Sequence, residues 1–186
     1  KHKLFHDTFN AVLGISAKFS TKNSFTYLDL YAGQGKFSDH TLGSPMLALK
    51  TILDSDVTDS FHQVKCFFSE ADSASCEKLE KNINDLLYSN KSQSNILTSV
   101  KSGAWTNNTD DIDELLKYSK WGFIFADPFS NEINVDELLG LLENRSKLKD
   151  FMLFINLQSI KRIVGRYPNN EGVSKFLGVS PNELTS

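Results

Sequence analysis

The sequence is short of cysteine, has no long apolar run and carries almost no net charge. Cys66 and Cys76 are the two cysteines in 186 residues, too few for a disulfide framework and not spaced like a zinc site. Both read as reduced and buried, because a free cysteine packs as a small hydrophobe. No apolar stretch approaches the roughly 18 residues of a membrane span, and no basic-then-apolar leader opens the chain, so the sequence reads as that of a cytoplasmic protein with no membrane partner. The net charge of −3 argues against a generally adhesive nucleic-acid binder, although a mean conceals a local patch. From Arg145 onward seven bases stand against three acids, which is either a solvated face or a basic surface. The acids of "TDDIDE" (Thr109 to Glu114) sit at a helix start, where they suit the dipole, and no metal site is expected. His6, His40 and His62 read as surface residues, and no Ser/His/Asp or Cys/His set has the ordered context a nucleophile needs.

What is present is an ordinary globular composition. Hydrophobic residues make up 40%, charged residues 23%, and there are fourteen Phe, which is incompatible with a disordered chain. The length suits one domain, read as an N-terminal helix over 1–20, an α/β core over 24–157 and the start of a peripheral helical part over 158–186. The chain opens at Lys1 without Met and stops after "SPNELTS", a fresh helix-start signal, so both ends read as cut.

Five short apolar or β-rich runs read as buried strands: Ser24 to Leu30, Val64 to Ser69, Ile96 to Val100, Trp121 to Ala126 and Phe151 to Asn156. Along these runs Phe123, Phe125, Phe151 and Phe154 are expected in the core. Helical periodicity covers His2 to Lys18, Pro45 to Leu53, Ser73 to Tyr88, Asp110 to Tyr118 and Val135 to Leu142. Ser44 is expected to cap the second of these, with Pro45 at its first position. Strands alternating with helices imply right-handed crossovers between parallel neighbours. The expected fold is therefore α/β: a doubly wound, mainly parallel sheet with helices on both faces.

Ligands in such sheets bind beyond the carboxyl ends of the strands, so the residues just after each strand are the informative ones. The first strand is followed by Asp29 and Gly33-Gln34-Gly35, where glycines allow positive φ and close approach of backbone N–H groups. Glu70 and Asp72 come after the second, "KSGAW" after the third, and Asp127-Pro128-Phe129-Ser130 after the fourth. Each signal has an alternative: the Gly-x-Gly could be a plain tight turn, Asp72 a helix cap, and Asp-Pro-Phe a turn. Their order along the chain describes a nucleoside site facing a reacting edge. The dinucleotide fingerprint is absent, since Ser38 stands three residues after Gly35 and Ser44 lies eleven residues after Gly33, too far for a pyrophosphate seated on a helix terminus. A Walker loop is absent too. A nucleoside without phosphates fits better.

The segments "YLDLYAGQGKF", "GSPMLAL", "CFFSEAD" and "FIFADPF", with an opening "KH" before an amphipathic helix, resemble the bacterial three-Cys-motif partner family (TcmP), a branch of the class I S-adenosylmethionine-dependent methyltransferase fold. The likeness runs in order from Lys1 to about Arg166, and a similar layout occurs in the adenine methyltransferases of ribosomal RNA. The resemblance implies S-adenosylmethionine as cofactor, with Lys1, His2, Asp29, Gly33, Gly35 and Glu70 around it and Asp72 as the neighbouring acid. It also implies that Asp127, Pro128 and Phe129 form the catalytic edge. Two positions depart from the pattern. Gly103-Ala104 stands where a Gly-Asp would face the adenine amino group, and Asp127-Pro128-Phe129 replaces Asp/Asn-Pro-Pro-aromatic, so the stacking ring falls one place early. Asn156 and Gln158 are further candidates for the substrate side. The expected activity is methyl transfer to nucleic acid, a base amino group being one acceptor. The alternative is a non-catalytic domain that binds a ligand or a protein partner.

Overall fold

The computed structural model describes residues 2–90, 94–128, 135–143 and 149–155, with single residues and short pieces beyond. Its elements run α1 (His2–Lys18), β1 (Phe25–Asp29), α2 (Ser44–Leu53), β2 (Val64–Glu70), α3 (Ser73–Ser89), β3 (Ile96–Ser102), α4 (Thr109–Lys117), β4 (Trp121–Ala126), α5 (Val135–Glu143) and β5 (Lys149–Leu153). Short 3-10 turns occupy Asp56–Ser60 and Trp105–Asn108. The five strands form one parallel sheet flanked by helices, in the order β3-β2-β1-β4-β5, so the α/β expectation holds and the fold is Rossmann-like. The chain divides into two compact units, Lys1–Phe125 with Lys147–Met152, and Ala126–Ser146 with Leu153–Ser186. The second contributes α5, on which Leu138 and Leu141 are buried.

In the first unit the sheet centre is dry. Every residue of β1 is buried, and β2 and β4 are nearly so, which is why these strands read as continuous apolar runs. Parallel register aligns Tyr27 with Cys66 and with Phe123, and alternate residues project to one face. There Phe5 and Phe9 of α1 meet Tyr27 and Phe123, with ring centroids 5.1 to 6.3 Å apart. Cys66 and Cys76 are buried and unpaired, as expected, and burial holds the Cys66 thiol well above the usual range. His6, His40 and His62 are exposed.

Three sequence expectations change. The edge strands β3 and β5 are only partly buried, because an outer strand has a neighbour on one side alone. Phe151 is likewise half-buried, and Phe154 lies beyond β5. Ser44 is not the cap of α2. Gly43 holds that position in an extended conformation without a side-chain cap bond, and its amide donates to the Gly35 carbonyl at 2.8 Å. A Cβ on Gly43 would stand 3.2 Å from that same oxygen, so the close approach favours glycine.

Gly122 in β4 supports a first prediction. It is the register partner of Thr26, and a Cβ there would sit 2.7 Å from the Thr26 carbonyl oxygen. Main chain in a central strand cannot swing aside. Gly122→Ala should therefore lower stability by about 1 to 3 kcal/mol, the scale of overpacking, read as a lower urea midpoint at unchanged m-value. A midpoint equal to that of the wild type would show that β1 and β4 can separate at no cost.

Candidate functional site

The chain runs outward from β1 to β2 and β3 and then returns to the other side of β1 to form β4. This reversal is the topological feature beside which open α/β sheets bind ligands, at the carboxyl ends of the strands. Within the first unit those ends carry Asp29 at the end of β1 with Tyr31 just beyond it, Glu70 at the end of β2, and Gly103 and Ala104 after β3.

Glu70 is the best-defined group. Its carboxylate accepts the Gly33 N–H at 2.7 Å on one oxygen and the Asp72 N–H at 2.9 Å on the other. Two backbone donors thus fix the orientation of a side chain that is only partly buried. A carboxylate has about four acceptor positions, so each oxygen retains capacity for a ligand hydroxyl. Asp72 has a different task. It is the N-cap of α3, accepting the Ser75 N–H at 2.8 Å, and its bonds with Ser75 hold its carboxyl below the usual range. Of the two acids that the sequence offered after β2, one caps a helix and the other faces the glycine loop.

Both glycines of that loop have positive φ, +64° at Gly33 and +80° at Gly35, yet they face different surroundings. A Cβ on Gly33 would have nothing within 4 Å, whereas one on Gly35 would stand 2.8 Å from Leu79 Cδ1 and 3.1 Å from Met46 Cγ. Gly33 therefore presents the open side of the loop. Gly35 lets the loop press against α2 and α3, so a side chain at 35 would enter the core. Asn82 of α3 donates to the Gln34 carbonyl at 3.0 Å, clamping the residue between the glycines.

Asp29 is wholly buried and accepts the Tyr27 hydroxyl at 3.0 Å and the Tyr31 N–H at 3.3 Å. The Tyr27 contact follows from strand period: residues two apart share a face. Burial foremost, then the negative charge of Asp29, holds the Tyr27 phenol well above its ordinary range, so it remains a donor. The Tyr31 hydroxyl in turn accepts the Trp105 Nε1–H at 3.1 Å, joining the ends of β1 and β3.

After β3, Gly103 adopts φ +109°, its amide donates to the Glu70 carbonyl at 2.9 Å, and its own carbonyl accepts the Ser69 hydroxyl at 3.0 Å. Ala104 is exposed and has no polar side chain to offer. The Asn107 amide nitrogen lies 3.8 Å from where a Gly103 Cβ would be, a polar group beside the position where an acid was expected. Trp105 closes the "KSGAW" stretch read after the third strand, whereas Asn107 was not identifiable beforehand, because a short turn after β3 has no periodicity to mark it.

His2 begins α1, and its ring stacks on Phe37 at 5.9 Å, which brings the start of α1 to the loop that follows Gly35. Lys1 and Phe129 lie outside the described residues, as do Asn156 and Gln158. Asp127 and Pro128 directly follow β4 in irregular chain of the second unit, each half-buried. A groove of about 480 Å³ opens elsewhere, between α1, α2 and the Asp56–Ser60 turn, beside His6, Asn10 and Asp54. None of the candidate cofactor or catalytic residues lines it. Among the described residues no helix is long and apolar enough to cross a membrane, and no group of three or more His, Cys, Asp or Glu could hold a metal ion. No family model matches the chain, and no curated protein matches it.

Proposed function

We propose that this chain is an S-adenosylmethionine-dependent methyltransferase acting on nucleic acid. The observation that carries the reading is Glu70: a carboxylate at the end of β2, held by the Gly33 and Asp72 amides with acceptor capacity left on both oxygens. That arrangement fits a ribose, whose adjacent hydroxyls need two acceptors side by side. The open side of Gly33 suits backbone contact with the methionine portion, and Asn107, near Gly103, can both donate to and accept from an adenine edge. S-adenosylmethionine, when bound, supplies an already activated methyl group. The protein then contributes orientation, which is worth many orders of magnitude for a correctly aligned pair. Asp127 is proposed to orient the acceptor, on the strength of its position directly after β4 and before a proline that restricts it to extended conformations. A base amino group is the proposed acceptor.

Ala104 favours a second reading. Without an acid there, the fold could serve as a non-catalytic domain that recognises a ligand or protein partner, since fold alone does not specify chemistry.

Titration with S-adenosylhomocysteine by calorimetry tests the cofactor. Wild-type protein should bind, and Glu70→Ala should weaken binding by about 1 to 3 kcal/mol, the cost of a lost charge-assisted hydrogen bond. Unchanged affinity in the variant would remove Glu70 from the ribose contact, and no binding by the wild type would end the methyltransferase reading.

A further inference from the structure

Two stretches of the sequence repeat a Lys-aromatic-Ser pattern, Lys18-Phe19-Ser20 and Lys117-Tyr118-Ser119, and Lys120-Trp121 follows the second. About a hundred residues of chain separate them, yet the fold brings them together. Phe25 and Trp121 are register partners in parallel strands, so the end of α1 and the end of α4 deliver their last residues to the same place, the amino ends of β1 and β4. The rings of Phe19 and Trp121 stack there, with centroids 6.5 Å apart. The Lys18 ammonium lies 6.0 Å from the Phe19 ring, Lys117 5.5 Å from Tyr118, and Lys120 5.8 Å from Trp121.

The serines anchor this cluster from within. Ser119 is buried, bonded to Thr26 of β1 and to the Leu115 carbonyl, and Ser20 donates to the Ser60 carbonyl at 3.1 Å. Each Lys-aromatic pair is thereby turned outward. Phe19 is 58% exposed and Tyr118 62%, far from the burial that large aromatic side chains usually reach. Lys22, also exposed, adds a further charge, and Lys149, which opens β5, donates to the Ser119 carbonyl at 2.9 Å. There is no acid between residues 8 and 28 or between 115 and 126. On a chain of net charge −3 this is a local reversal of sign, bounded by Asp150 beside Lys149 and by Asp59 beside Ser60. Favourable placement of cations at helix carboxyl ends accounts for Lys18 and Lys117, but not for the exposed rings next to them.

We infer that this face binds single-stranded nucleic acid: the lysines track the phosphates, and the exposed rings of Phe19, itself stacked on the half-buried Trp121, and of Tyr118 offer surfaces on which bases stack. Ammonium groups alternating with exposed rings are the combination that sequence-tolerant single-strand binding uses. A membrane surface would call for one broad apolar face with the charges segregated from it, whereas here a lysine ammonium lies over each ring. The face lies at the opposite ends of the strands from Glu70 and does not depend on cofactor binding.

The test uses the whole chain and a fluorescein-labelled oligouridylate of about twenty nucleotides, followed by anisotropy. Binding should be measurable at 50 mM salt and fall steeply by 200 mM, with a slope of log affinity against log salt near −3 for about four neutralised phosphates. Phe19→Ala combined with Tyr118→Ala should weaken binding about tenfold or more at unchanged slope. Lys117→Gln with Lys120→Gln should make the slope shallower by about 1 to 1.5. All four positions are exposed, so the variants should melt with the wild type. Absence of oligonucleotide binding at 50 mM salt, affinity and slope unchanged in both variants, or binding to phosphatidylserine vesicles in place of oligonucleotide would each overturn the assignment.

Discussion

Gly35→Val is expected to destabilise the protein by about 2 to 5 kcal/mol, combining left-handed backbone forced on an L-residue, about 1 to 2 kcal/mol, with overpacking, about 1 to 3. The backbone at Gly35 has φ +80°, which a β-branched residue adopts only with strain, and the new Cβ would meet Leu79 at 2.8 Å and Met46 at 3.1 Å. Leu79 and Met46 are themselves buried. Both contacts are with core side chains, which must repack to admit the new atom. Set against an ordinary domain stability of about 5 to 15 kcal/mol, the loss should appear as a large fall in urea midpoint followed by circular dichroism. Gly33→Ala isolates the conformational contribution, since its φ is +64° and nothing lies within 4 Å of the added atom; it should cost only about 1 to 2 kcal/mol. A Gly35→Val protein as stable as the wild type but unable to bind S-adenosylhomocysteine would return Gly35 to the ligand side of the loop.

Loss of turnover without loss of cofactor affinity is the expected result for Asp127→Ala. An acid that orients the acceptor acts in the transition state, and removing such a contact costs a factor of about 100 or more in rate. Calorimetry with S-adenosylhomocysteine should give an affinity within about twofold of the wild type, because the proposed ribose contact belongs to Glu70. The readout is tritiated methyl incorporation into total RNA, DNA and protein. If the wild type binds the cofactor and labels none of them, the non-catalytic reading stands. If Asp127→Ala labels as well as the wild type, the residue is part of a turn.

Glu70, Gly35 and Asp127 are residues whose type and order were legible in the sequence and whose surroundings were not. Strand and helix alternation followed from the apolar runs of β1, β2 and β4 and from the helical spacing of α1 and α3, because period is a local property of the chain. The glycine turn and the acid after β2 were visible for the same reason. Which acid turned to the loop was not. Asp72 and Glu70 are two residues apart, and only the start of α3, which takes Asp72 as its cap, leaves Glu70 for Gly33.

Gly33 and Gly35 were likewise equivalent as letters, both able to take positive φ. The packing of α2 and α3 separated them, placing Met46 and Leu79 against one and open space against the other. The half-burial of β3 and β5 came from their places at the sheet edges, a consequence of strand order that no single strand encodes. By itself the sequence determined the element types, the parallel α/β class and the residues found at each strand end. The tertiary structure alone decided the pairing of Phe25 with Trp121, and with it the meeting of two lysine-aromatic stretches about a hundred residues apart. The reason is physical: periodicity and turn chemistry act over a few residues, whereas register and side-chain facing are set by what each strand and helix must bury against a neighbour distant in the chain.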